Sequence, residues 1–450
     1  MTTYFSLSNL SEIISAKSSS GITAENSSNP VLGIATDTRT LEPGEIFIAL
    51  VGDNFDGHNF VDVALERGAT AVVVERQLST VEVPQFIVSD TLKAYQQIAS
   101  WWRDRLNIPV IGVTGSVGKT STKELIAAVL GTQGKVLKTQ ENFNNEIGVP
   151  KTLLQITPEH DYAVIEMAMR GRGEIALLTD IARPTIGIIT NVGTAHIGRL
   201  GSRKAIAEAK CELLAQMPKT SIAILNYDNP LLIETAKEVW QGKTITYGLT
   251  GGDIKGEING DTLQVLEHNL PLPLPGEHNA SNYLAAVSVA KILDINLNTL
   301  QSGLNVELPK GRSRRYDLPN DIVVLDETYN AGLESMLAAI QVLKDTPGKR
   351  HIAVLGTMKE LGEYSPQLHR QVGEKAQELN LDLLLVLADE NATQEIVEGA
   401  VGINRECYSD RASLIDKLKE IIQPGDRILC KASNSVGLNK VVEALIEDNE

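Results

Sequence analysis

Short apolar runs alternate with longer amphipathic segments through the central part of the chain. These runs lie at residues 109–113, 162–165, 185–190 and 222–225. Polar turns and segments with helical spacing separate them, and this alternation predicts a parallel sheet covered by helices. Residues 251–275 differ, because Gly-Gly and Asn-Gly turns interrupt them. They predict short antiparallel strands.

The same alternation occurs on both sides of the central part. Before it, residues 45–50 and 71–74 have the apolar character of strands, and residues 92–106 have the pattern of a helix. After it, four more runs indicate a second open α/β sheet, whose ligands are expected beyond the carboxyl ends of its strands. Those runs are residues 322–325, 351–355, 383–387 and 427–430.

The length of the chain agrees with this division. At 450 residues it is long enough for about three domains, each with its own core. We therefore predict an α/β protein with a central parallel-sheet domain and a Rossmann-like α/β domain at the C-terminal end. The predicted domains are residues 1–108, 109–313 and 314–450.

A glycine-spaced loop follows the first central strand, at residues 111–121. Its glycines allow backbone N–H groups to approach phosphate oxygens, and a helix begins directly after it. Lys119 can reach the β- and γ-phosphates of a nucleotide, and the Thr120 hydroxyl can hold Mg²⁺. The loop therefore predicts a P-loop that binds ATP, although Val113 stands where the common form has its first glycine. The predicted nucleotide-binding residues are Gly115, Ser116, Val117, Gly118, Lys119, Thr120 and Ser121.

Composition excludes some classes of partner. The formal net charge of −16 argues against a nucleic-acid-binding surface, which requires clustered Lys and Arg. No apolar run approaches 18 residues, and residues 1–14 lack a basic segment followed by an apolar core, so we expect a cytoplasmic protein that does not bind membranes. Three widely spaced cysteines are typical of buried thiols in a reducing compartment. They are Cys211, Cys407 and Cys430.

Polar side chains follow the central strands. Glu166 closes one strand, where its carboxylate can complete a Mg²⁺ shell begun by Thr120 and phosphate oxygens. His196 comes after the next strand, but a lone histidine is more often structural. Lys210 lies in a helical segment at residues 205–214, where a solvated lysine is the ordinary interpretation.

The P-loop, of the form G-x-T-G-[ST]-x-G-K-T, resembles that of the Mur ligase and folylpolyglutamate synthase superfamily. Glu166, residues 188–196 and residues 206–210 are similar to the central-domain series of Mur ligases. This resemblance implies that Glu166 and His196 bind magnesium and that Lys210 is a carbamate. A cationic lysine would repel a dication, whereas a carbamate can bind a second metal ion.

Three further stretches resemble the branch of the family that adds D-alanyl-D-alanine to a UDP-N-acetylmuramoyl-tripeptide. They are residues 142–150, 326–331 and 356–362. By themselves, the asparagines of the first stretch are equally typical of a turn. The resemblance implies that Asp326 contacts ATP and that four side chains contact the substrates, namely Asn144, Asn145, Tyr329 and Asn330.

The resemblance also implies further nucleotide contacts. Residues 276–282 are similar to the family's G-x-H-N-x-x-N, which places Asn279 at the adenine, although an asparagine here can also cap a helix. Arg312 corresponds to a hinge arginine that reaches the phosphates. Arg314 and Arg315 lie close enough in the sequence to compete for that role.

In the first domain, residues 36–39 and 52–58 resemble the family's uridine-diphosphate pocket. A hydroxyl, backbone N–H groups and a cation suit a diphosphate. On composition alone these segments are ordinary turn signals. The residues implied to bind substrate are Thr38, Arg39, Asp56 and His58.

The chain departs from the family pattern at several positions. The Asn-Pro after Y-N-A is replaced by residues 332–333, the aspartate of G-D-M is replaced by Thr357, and the late K-G-S-R appears as residues 431–434. The sequence Asp-Asn-Pro at residues 228–230 is similar to a signature of the diaminopimelate-adding ligase. It is followed by Leu231 instead of the required arginine.

Together these resemblances imply an ATP-dependent amide ligase of cytoplasmic peptidoglycan precursor synthesis that acts through an acyl phosphate. ATP and two Mg²⁺ ions are the expected cofactors. The expected substrates are a UDP-N-acetylmuramoyl-tripeptide and D-alanyl-D-alanine, and we expect a monomer. The alternatives are a diaminopimelate-adding Mur ligase, folylpolyglutamate synthase and a non-enzymatic nucleotide switch. The third residue of the tripeptide, diaminopimelate or lysine, stays open.

Overall fold

The structure is a computed structural model that describes residues 5–23, 26–79 and 81–447. The first four positions of the N-terminal segment at residues 1–14 lie outside this description. Within the described residues, the strands form a five-stranded, a nine-stranded and a six-stranded sheet and one two-stranded ribbon. In the same part of the chain, no helix combines the length and the apolar character needed to cross a bilayer.

The first sheet and its helices occupy the N-terminal part of the chain. The strands are β1 (Ser18–Ser20), β2 (Ile34–Ala35), β3 (Ile46–Ile48), β4 (Val51–Gly52), β5 (Phe55–Asp56), β6 (Ala71–Val74) and β7 (Gln85–Ile87). The helices are α1 (Leu7–Ile13), α2 (Val61–Glu66) and α3 (Thr91–Arg103). The strand order is β1-β7-β6-β3-β2, with β1 antiparallel to β7 and the other pairs parallel. Strands β4 and β5 form the separate ribbon.

The central sheet is the largest. Its strands are β8 (Val110–Thr114), β9 (Val136–Lys138), β10 (Tyr162–Glu166), β11 (Ile186–Ile189), β12 (Ile222–Asn226), β13 (Lys243–Gly248), β14 (Ile254–Asn259), β15 (Thr262–Val265) and β16 (His268–Pro271). Its helices are α4 (Lys119–Leu130), α5 (Gly148–Leu153), α6 (Glu174–Ala182), α7 (Ile197–Leu200), α8 (Arg203–Gln216), α9 (Pro230–Val239) and α10 (Glu277–Ile292). The order is β16-β15-β14-β13-β12-β11-β8-β10-β9.

The third sheet completes the molecule. Its strands are β17 (Arg314–Leu318), β18 (Ile322–Asp326), β19 (Arg350–Gly356), β20 (Leu383–Leu387), β21 (Arg405–Tyr408) and β22 (Asp426–Lys431). Its helices are α11 (Leu333–Asp345), α12 (Ser365–Glu378), α13 (Gln394–Gly399), α14 (Arg411–Ile421) and α15 (Asn439–Glu447). The order is β17-β18-β22-β19-β20-β21, and only β17, at one edge, pairs antiparallel among the strands described here.

Several predictions from the apolar pattern are confirmed. Each of the apolar runs predicted as strands contains a strand, and the central and third sheets are largely parallel. Residues 251–275 do contain antiparallel strands, but β14 also pairs in parallel with β13, so these strands extend the central sheet. The expectation of three buried thiols is wrong for Cys407. Cys211 and Cys430 are buried, whereas Cys407 is exposed because β21 is the edge strand of the third sheet.

The position of β8 determines where chemistry can occur. This strand lies between β10 and β11, and all five of its residues are buried. The loop after it enters α4 through Gly118, which has φ +80°. A Cβ at this position would lie 2.7 Å from the Asn282 Oδ1 atom, so both the backbone angle and the space favour glycine. The amino end of α4 is therefore placed at the carboxyl edge of the central sheet.

Helix α3 joins the first domain to the central one. It packs against α5 and α6 of the central domain as well as against α1 and β6. The Trp102 indole N–H donates to the Ile156 carbonyl at 3.0 Å. The buried Arg103 guanidinium donates to the carbonyls of Ala182 and Arg183 at 3.0 and 3.1 Å. These bonds satisfy carbonyls at the end of α6, so α3 serves as part of two cores.

Helix α10 supplies the prediction for the fold. Leu284 is fully buried between α10 and β14, where its Cδ2 atom fills the space that a side chain on Gly256 would need. We expect Leu284→Ala to lower the free energy of unfolding by about 2–5 kcal/mol through lost burial and a residual cavity. Leu177, on α6, is 40% exposed and serves as the matched control. Leu177→Ala should change the free energy of unfolding by less than about 0.5 kcal/mol. Urea unfolding followed by fluorescence and circular dichroism measures both, and equal losses in the two variants would contradict this packing.

Candidate functional site

The P-loop is held from the neighbouring strand end. Asn191, just after β11, accepts from the Val117 N–H through its side chain at 3.1 Å and donates back to the Val117 carbonyl at 3.0 Å. The Ser116 hydroxyl accepts from the Gly193 N–H at 2.9 Å. Asn191 and Gly193 both follow β11, so the loop after that strand holds the P-loop from one side. This is a role for Asn191 that its position after the strand did not reveal.

Lys119 lies over its own loop. Its ammonium donates to the Gly115 carbonyl at 2.9 Å and to the Ser116 carbonyl at 3.4 Å. Burial lowers the pKa of Lys119; the nearby Arg312 lowers it further, and Glu166 opposes the shift. A cation that is partly desolvated and faces other cations is stabilised by an anionic ligand.

Thr120 and Glu166 meet at the carboxyl edge of the central sheet. The Thr120 hydroxyl donates to Glu166 Oε2 at 2.9 Å, and the Asn144 amide donates to Glu166 Oε1 at 2.8 Å. Both Thr120 and Glu166 are buried. A hydroxyl and a carboxylate oxygen at this distance match the ligand preference of Mg²⁺, so the donor set fits the ion. Among the described residues, no cluster of three or more His, Cys, Asp or Glu side chains could hold a metal ion. Phosphate or water oxygens would have to complete the shell.

The two asparagines predicted to contact substrate have different surroundings. Asn144 holds the Glu166 carboxylate, as described above. Asn145 instead accepts from the Gly148 N–H at 2.9 Å and so caps the start of α5. A cap satisfies an otherwise unpaired N–H of the first helical turn. A substrate contact for either asparagine stays a prediction.

His196 and Lys210 come close enough to influence each other and Lys119. Burial lowers the pKa of His196, and the ammonium groups of Lys119 and Lys210 add to that effect. Lys210 is fully buried, and burial, followed by the charge of Lys119, puts its pKa well below the usual value. Within the described part of the chain, no hydrogen bond or ion pair involves the Lys210 ammonium. The interpretation of Lys210 as a solvated lysine is wrong, because α8 buries that face against the central sheet.

A cavity of about 370 Å³ lies between the central and third domains, which we call the interdomain cavity. This volume lies within the range of small-molecule sites. The central domain contributes the P-loop, and the third domain contributes Tyr329 and Asn330. Four cations line it although the whole chain is strongly acidic, a distribution that suits a polyanion such as a nucleotide triphosphate. They are Lys119, Arg203, Arg312 and Lys431.

Arg312 is placed for an anionic ligand. Its guanidinium lies 4.0 Å over the Tyr329 ring. Its buried Nε atom has no hydrogen-bond partner in the described structure, which is costly for a charged group. Of the two competitors, Arg314 lines a neighbouring cleft and Arg315 pairs with the exposed Asp317. Of these three arginines, Arg312 is the one that lines the interdomain cavity.

Lys431 approaches the interdomain cavity from the third sheet. It donates to the Asn330 carbonyl at 2.9 Å, and burial lowers its pKa while Glu327 opposes the shift. Sequence reasoning noted Lys431 within a changed motif but assigned it no role. Arg203 was missed entirely, although it precedes Lys210 by seven residues and so shares its face of α8.

Three predicted nucleotide contacts lie outside the wall of this cavity, namely Gly115, Asn279 and Asp326. Asn279 is buried and donates to the Pro275 carbonyl at 2.8 Å, while its neighbours His278 and Asn282 line the cavity. Asp326 accepts from the Thr328 hydroxyl at 2.6 Å and lines a second cleft of about 550 Å³. Thr120 and Arg312 line both that cleft and the interdomain cavity, so the two spaces adjoin at these residues. The roles of Asn279 and Asp326 stay predictions.

The first-domain candidates gather at the carboxyl edge of the first sheet. His58 Nε2 accepts from the Glu75 N–H at 2.9 Å, so Nδ1 carries the proton and donates to Asp56 at 2.5 Å. The backbone N–H of His58 and the Arg76 guanidinium lower the pKa of Asp56 to about 2. His58 is therefore held as a buried structural link. Its role in substrate binding stays a prediction.

The other two candidates of this domain lie on a turn after β2. Thr38 begins a 3₁₀ turn, Thr38–Thr40, and the exposed Arg39 guanidinium pairs with Asp37. Because β2 and β3 are parallel, this turn and the segment with Asp56 follow strands that end at the same edge. The arrangement leaves Arg39 able to reach an anion there.

In the third domain, a carboxylate from a neighbouring strand lies beside Thr357, the position where the family pattern has aspartate. Thr357, where the family has aspartate, donates its hydroxyl to Asp389, which follows the neighbouring strand β20. Lys359 pairs with the same carboxylate at 2.8 Å and with Glu390 at 2.7 Å. A carboxylate therefore occupies this strand end, supplied by a different strand.

Comparisons with known proteins agree with one another over most of the chain. The family models described as the Mur ligase family catalytic domain, the Mur ligase middle domain and the Mur ligase glutamate ligase domain match residues 30–111, 113–290 and 311–434. The chain is 61% identical to the UDP-N-acetylmuramoyl-tripeptide--D-alanyl-D-alanine ligase of Synechocystis sp., over 92% of each chain. The crystal structure of MurF from Acinetobacter baumannii has a TM-score of 0.89 at 31% identity and covers 98% of this chain and 99% of its own. MurF from Thermotoga maritima in complex with ADP has a TM-score of 0.83 at 29% identity, over 92% and 97%.

The interdomain cavity supplies a prediction for Arg312. We expect Arg312→Met to weaken binding of a non-hydrolysable ATP analogue at least about tenfold, because a charge-assisted hydrogen bond contributes roughly 1.5–3 kcal/mol. Arg315→Met is the matched control, since that side chain pairs with Asp317 away from the cavity, and its affinity should not change. Isothermal titration calorimetry measures both. An unchanged affinity in Arg312→Met would exclude this arginine from the phosphate site.

Proposed function

The chain belongs to the Mur ligase family, and from this premise we propose that it joins D-alanyl-D-alanine to a UDP-N-acetylmuramoyl-tripeptide at the expense of ATP. The observation that carries the proposal is the identity to a curated ligase of this activity, which extends over all three domains. It favours this acceptor over the diaminopimelate-adding and folylpolyglutamate alternatives. A bare nucleotide switch would not need the first domain.

The reaction proceeds in two steps. The γ-phosphoryl group of ATP passes to the terminal carboxylate of the tripeptide, giving an acyl phosphate and ADP. The amine of D-alanyl-D-alanine then attacks the acyl carbon, and the tetrahedral adduct collapses to the amide and inorganic phosphate. Phosphorylation thereby converts a poor leaving group into a good one, and the attacking amine loses its proton as the amide forms.

The residues of the interdomain cavity chiefly position and neutralise charge. The P-loop N–H groups hold the phosphates at the start of α4, and Lys119 faces the charge that develops during transfer. Arg312, next to the proposed boundary of the third domain, and Lys431, within that domain, line the same cavity. Phosphoryl transfer has little covalent chemistry for a protein to perform, so alignment and electrostatic stabilisation account for most of the rate.

Magnesium is part of this proposal. Thr120 and Glu166 would hold one ion, and His196 and Lys210 are proposed to hold a second. Bound magnesium neutralises phosphate charge and polarises the transferring group. Asn144 holds Glu166 Oε1 by the hydrogen bond described above, and Oε2 lies on the Thr120 side.

Lys210 is proposed to act as a carbamate. Burial lowers the pKa of the Lys210 amine well below its usual value, which favours the neutral form, and a neutral amine can attack the carbon of dissolved CO₂. The nitrogen then loses a proton, which leaves a carbamate anion in a pocket otherwise bordered by Lys119 and His196. The modification replaces a potential cation by an anion where metal binding requires one.

The remaining substrate contacts follow the three-domain arrangement, whose proposed limits are residues 1–108, 109–313 and 314–450. The uridine diphosphate group is placed at the first-sheet edge with Thr38, Arg39, Asp56 and His58. Asn145, Tyr329 and Asn330 are proposed to contact substrate nearer the reaction centre, and Asn279 and Asp326 to contact ATP. We propose a cytoplasmic monomer.

The acceptor can be tested directly. With a muramoyl-tripeptide and ATP, we expect D-alanyl-D-alanine to support ADP formation at least about tenfold faster than any single amino acid, because a dipeptide presents both an amine and a distant carboxylate for binding. A coupled assay of ADP formation makes the comparison. D-alanyl-D-alanine is offered with the muramoyl-tripeptide, and each single amino acid is offered both with the tripeptide and with the muramoyl substrate that it would extend. Faster turnover with diaminopimelate or glutamate on their own muramoyl substrates would overturn the assignment.

The carbamate makes a separate prediction. Lys210→Ala should reduce activity by at least about 10²-fold, since the proposed anionic metal ligand is removed from a buried site. A short carboxylate such as acetate should partly restore it by occupying the vacant position. Lys204→Ala is the control on the same helix, because Lys204 is exposed and pairs with Glu238. Full activity in Lys210→Ala would rule out the proposed role.

A further inference from the structure

The third domain contacts the central domain next to His196. Glu360 Oε2 lies 2.6 Å from His196 Nδ1, and Glu360 Oε1 accepts from the Arg199 guanidinium at 3.2 Å. The Gly198 N–H donates to the Glu360 carbonyl at 3.2 Å. One residue of the third domain thus makes three contacts with the loop at residues 193–201.

The backbone around this contact is unusual on both sides. His196 has φ +65° and Glu360 has φ +63°, and neither is glycine. Such left-handed conformations are sparsely populated for ordinary residues and concentrate where a side chain must be aimed. Both partners of a single hydrogen bond adopt it, which indicates that the surrounding structure enforces their meeting.

Glycines allow the two backbones to approach. A Cβ at Gly198 would lie 2.5 Å from the Gly362 nitrogen, and a Cβ at Gly362 would lie 2.8 Å from the Gly198 Cα. The Tyr364 hydroxyl donates to the Gly201 carbonyl at 2.9 Å beside them. No larger residue fits at either glycine without separating the domains, so the Glu360 contact belongs to a close-packed interface.

A second carboxylate of the third domain holds the same loop. Glu334, in the first turn of α11, accepts from the Thr194 N–H at 2.8 Å and from the Thr194 hydroxyl at 3.1 Å. A Cβ at Gly193 would lie 2.5 Å from the Glu334 carboxyl carbon. The loop before His196 is therefore anchored independently of the histidine ring.

We propose that Glu360 is a positioning residue that holds His196 as the Nδ1–H tautomer and leaves Nε2 with the free lone pair. An ionised carboxylate can only accept, so the short contact requires a proton on Nδ1. In proteins, a carboxylate at one ring nitrogen commonly orients a histidine for metal binding through the other. This inference rests on the proposed function only in naming the ligand as a divalent cation.

Glu360 and His196 belong to different domains, so their contact links the orientation of the histidine ring to the docking of the third domain. His196 is oriented only when residues 360–364 are docked on the loop at residues 193–201. Docking of the third domain and readiness of the histidine are therefore linked. Arg199 strengthens this link, because it holds the other oxygen of the same carboxylate.

The test uses the full chain with Glu360→Ala, Glu360→Gln and the control Glu363→Gln. Glu363 lies three residues further on and is exposed, and its side chain makes no hydrogen bond or ion pair among the described residues. Long-range ¹H–¹⁵N spectra of the metal-free, histidine-labelled protein report the tautomer, with the His196→Gln variant assigning the signal. We expect Nδ1–H in the parent and in Glu363→Gln. We expect a mixture dominated by Nε2–H in Glu360→Ala, and an intermediate state in Glu360→Gln, whose amide oxygen still accepts.

The second measurement is the Mg²⁺ concentration that gives half-maximal ADP formation. It should rise about 10- to 100-fold in Glu360→Ala and less in Glu360→Gln, with turnover at saturating Mg²⁺ reduced far less. A parent-like tautomer in Glu360→Ala would overturn the proposal. If the alanine variant does not fold, Glu360→Gln decides: a parent-like tautomer together with an unchanged Mg²⁺ requirement would overturn the proposal. Because the spectra need no substrate, they decide the role of Glu360 even if the acceptor assay contradicts the proposed reaction.

Discussion

The position of β8 between β10 and β11 is the constraint on which the rest of the site depends. Parallel strands end at one edge, so the P-loop after β8 is flanked by Glu166 on one side and by Asn191 on the other. Asn191 fixes the loop, and Glu166 faces the hydroxyl of Thr120. A different strand order would leave the same residues present but apart.

Charge is the second organising factor. The chain has a net charge of −16, yet its interdomain cavity gathers four cations. Burial lowers the pKa of Lys119, Lys210 and Lys431, which means that each ammonium is less stable there than in water. Phosphate groups are counter-charges that would make such an arrangement favourable. Anionic ligands would therefore stabilise the charged lysine side chains of this site.

The third domain completes the site instead of merely covering it. Lys431 brings charge to the interdomain cavity, and Glu360 and Glu334 hold the loop that carries His196. Domain closure that assembles a reaction centre also excludes water from a reactive acyl phosphate. Asp389, which follows the neighbouring strand β20, places a carboxylate beside Thr357 in this domain.

Local pattern alone determined the elements and one binding loop. The apolar runs predicted the strands of the central and third sheets, and the glycine spacing predicted the P-loop, because both depend on neighbours in the sequence. Tertiary structure decided what surrounds each side chain. Lys210 reads as a solvated lysine but is buried, and Arg312 is separated from Arg315 only by the direction of its side chain. The pairing of Glu360 with His196, 164 residues apart, has no local signal, because it depends on how two domains dock.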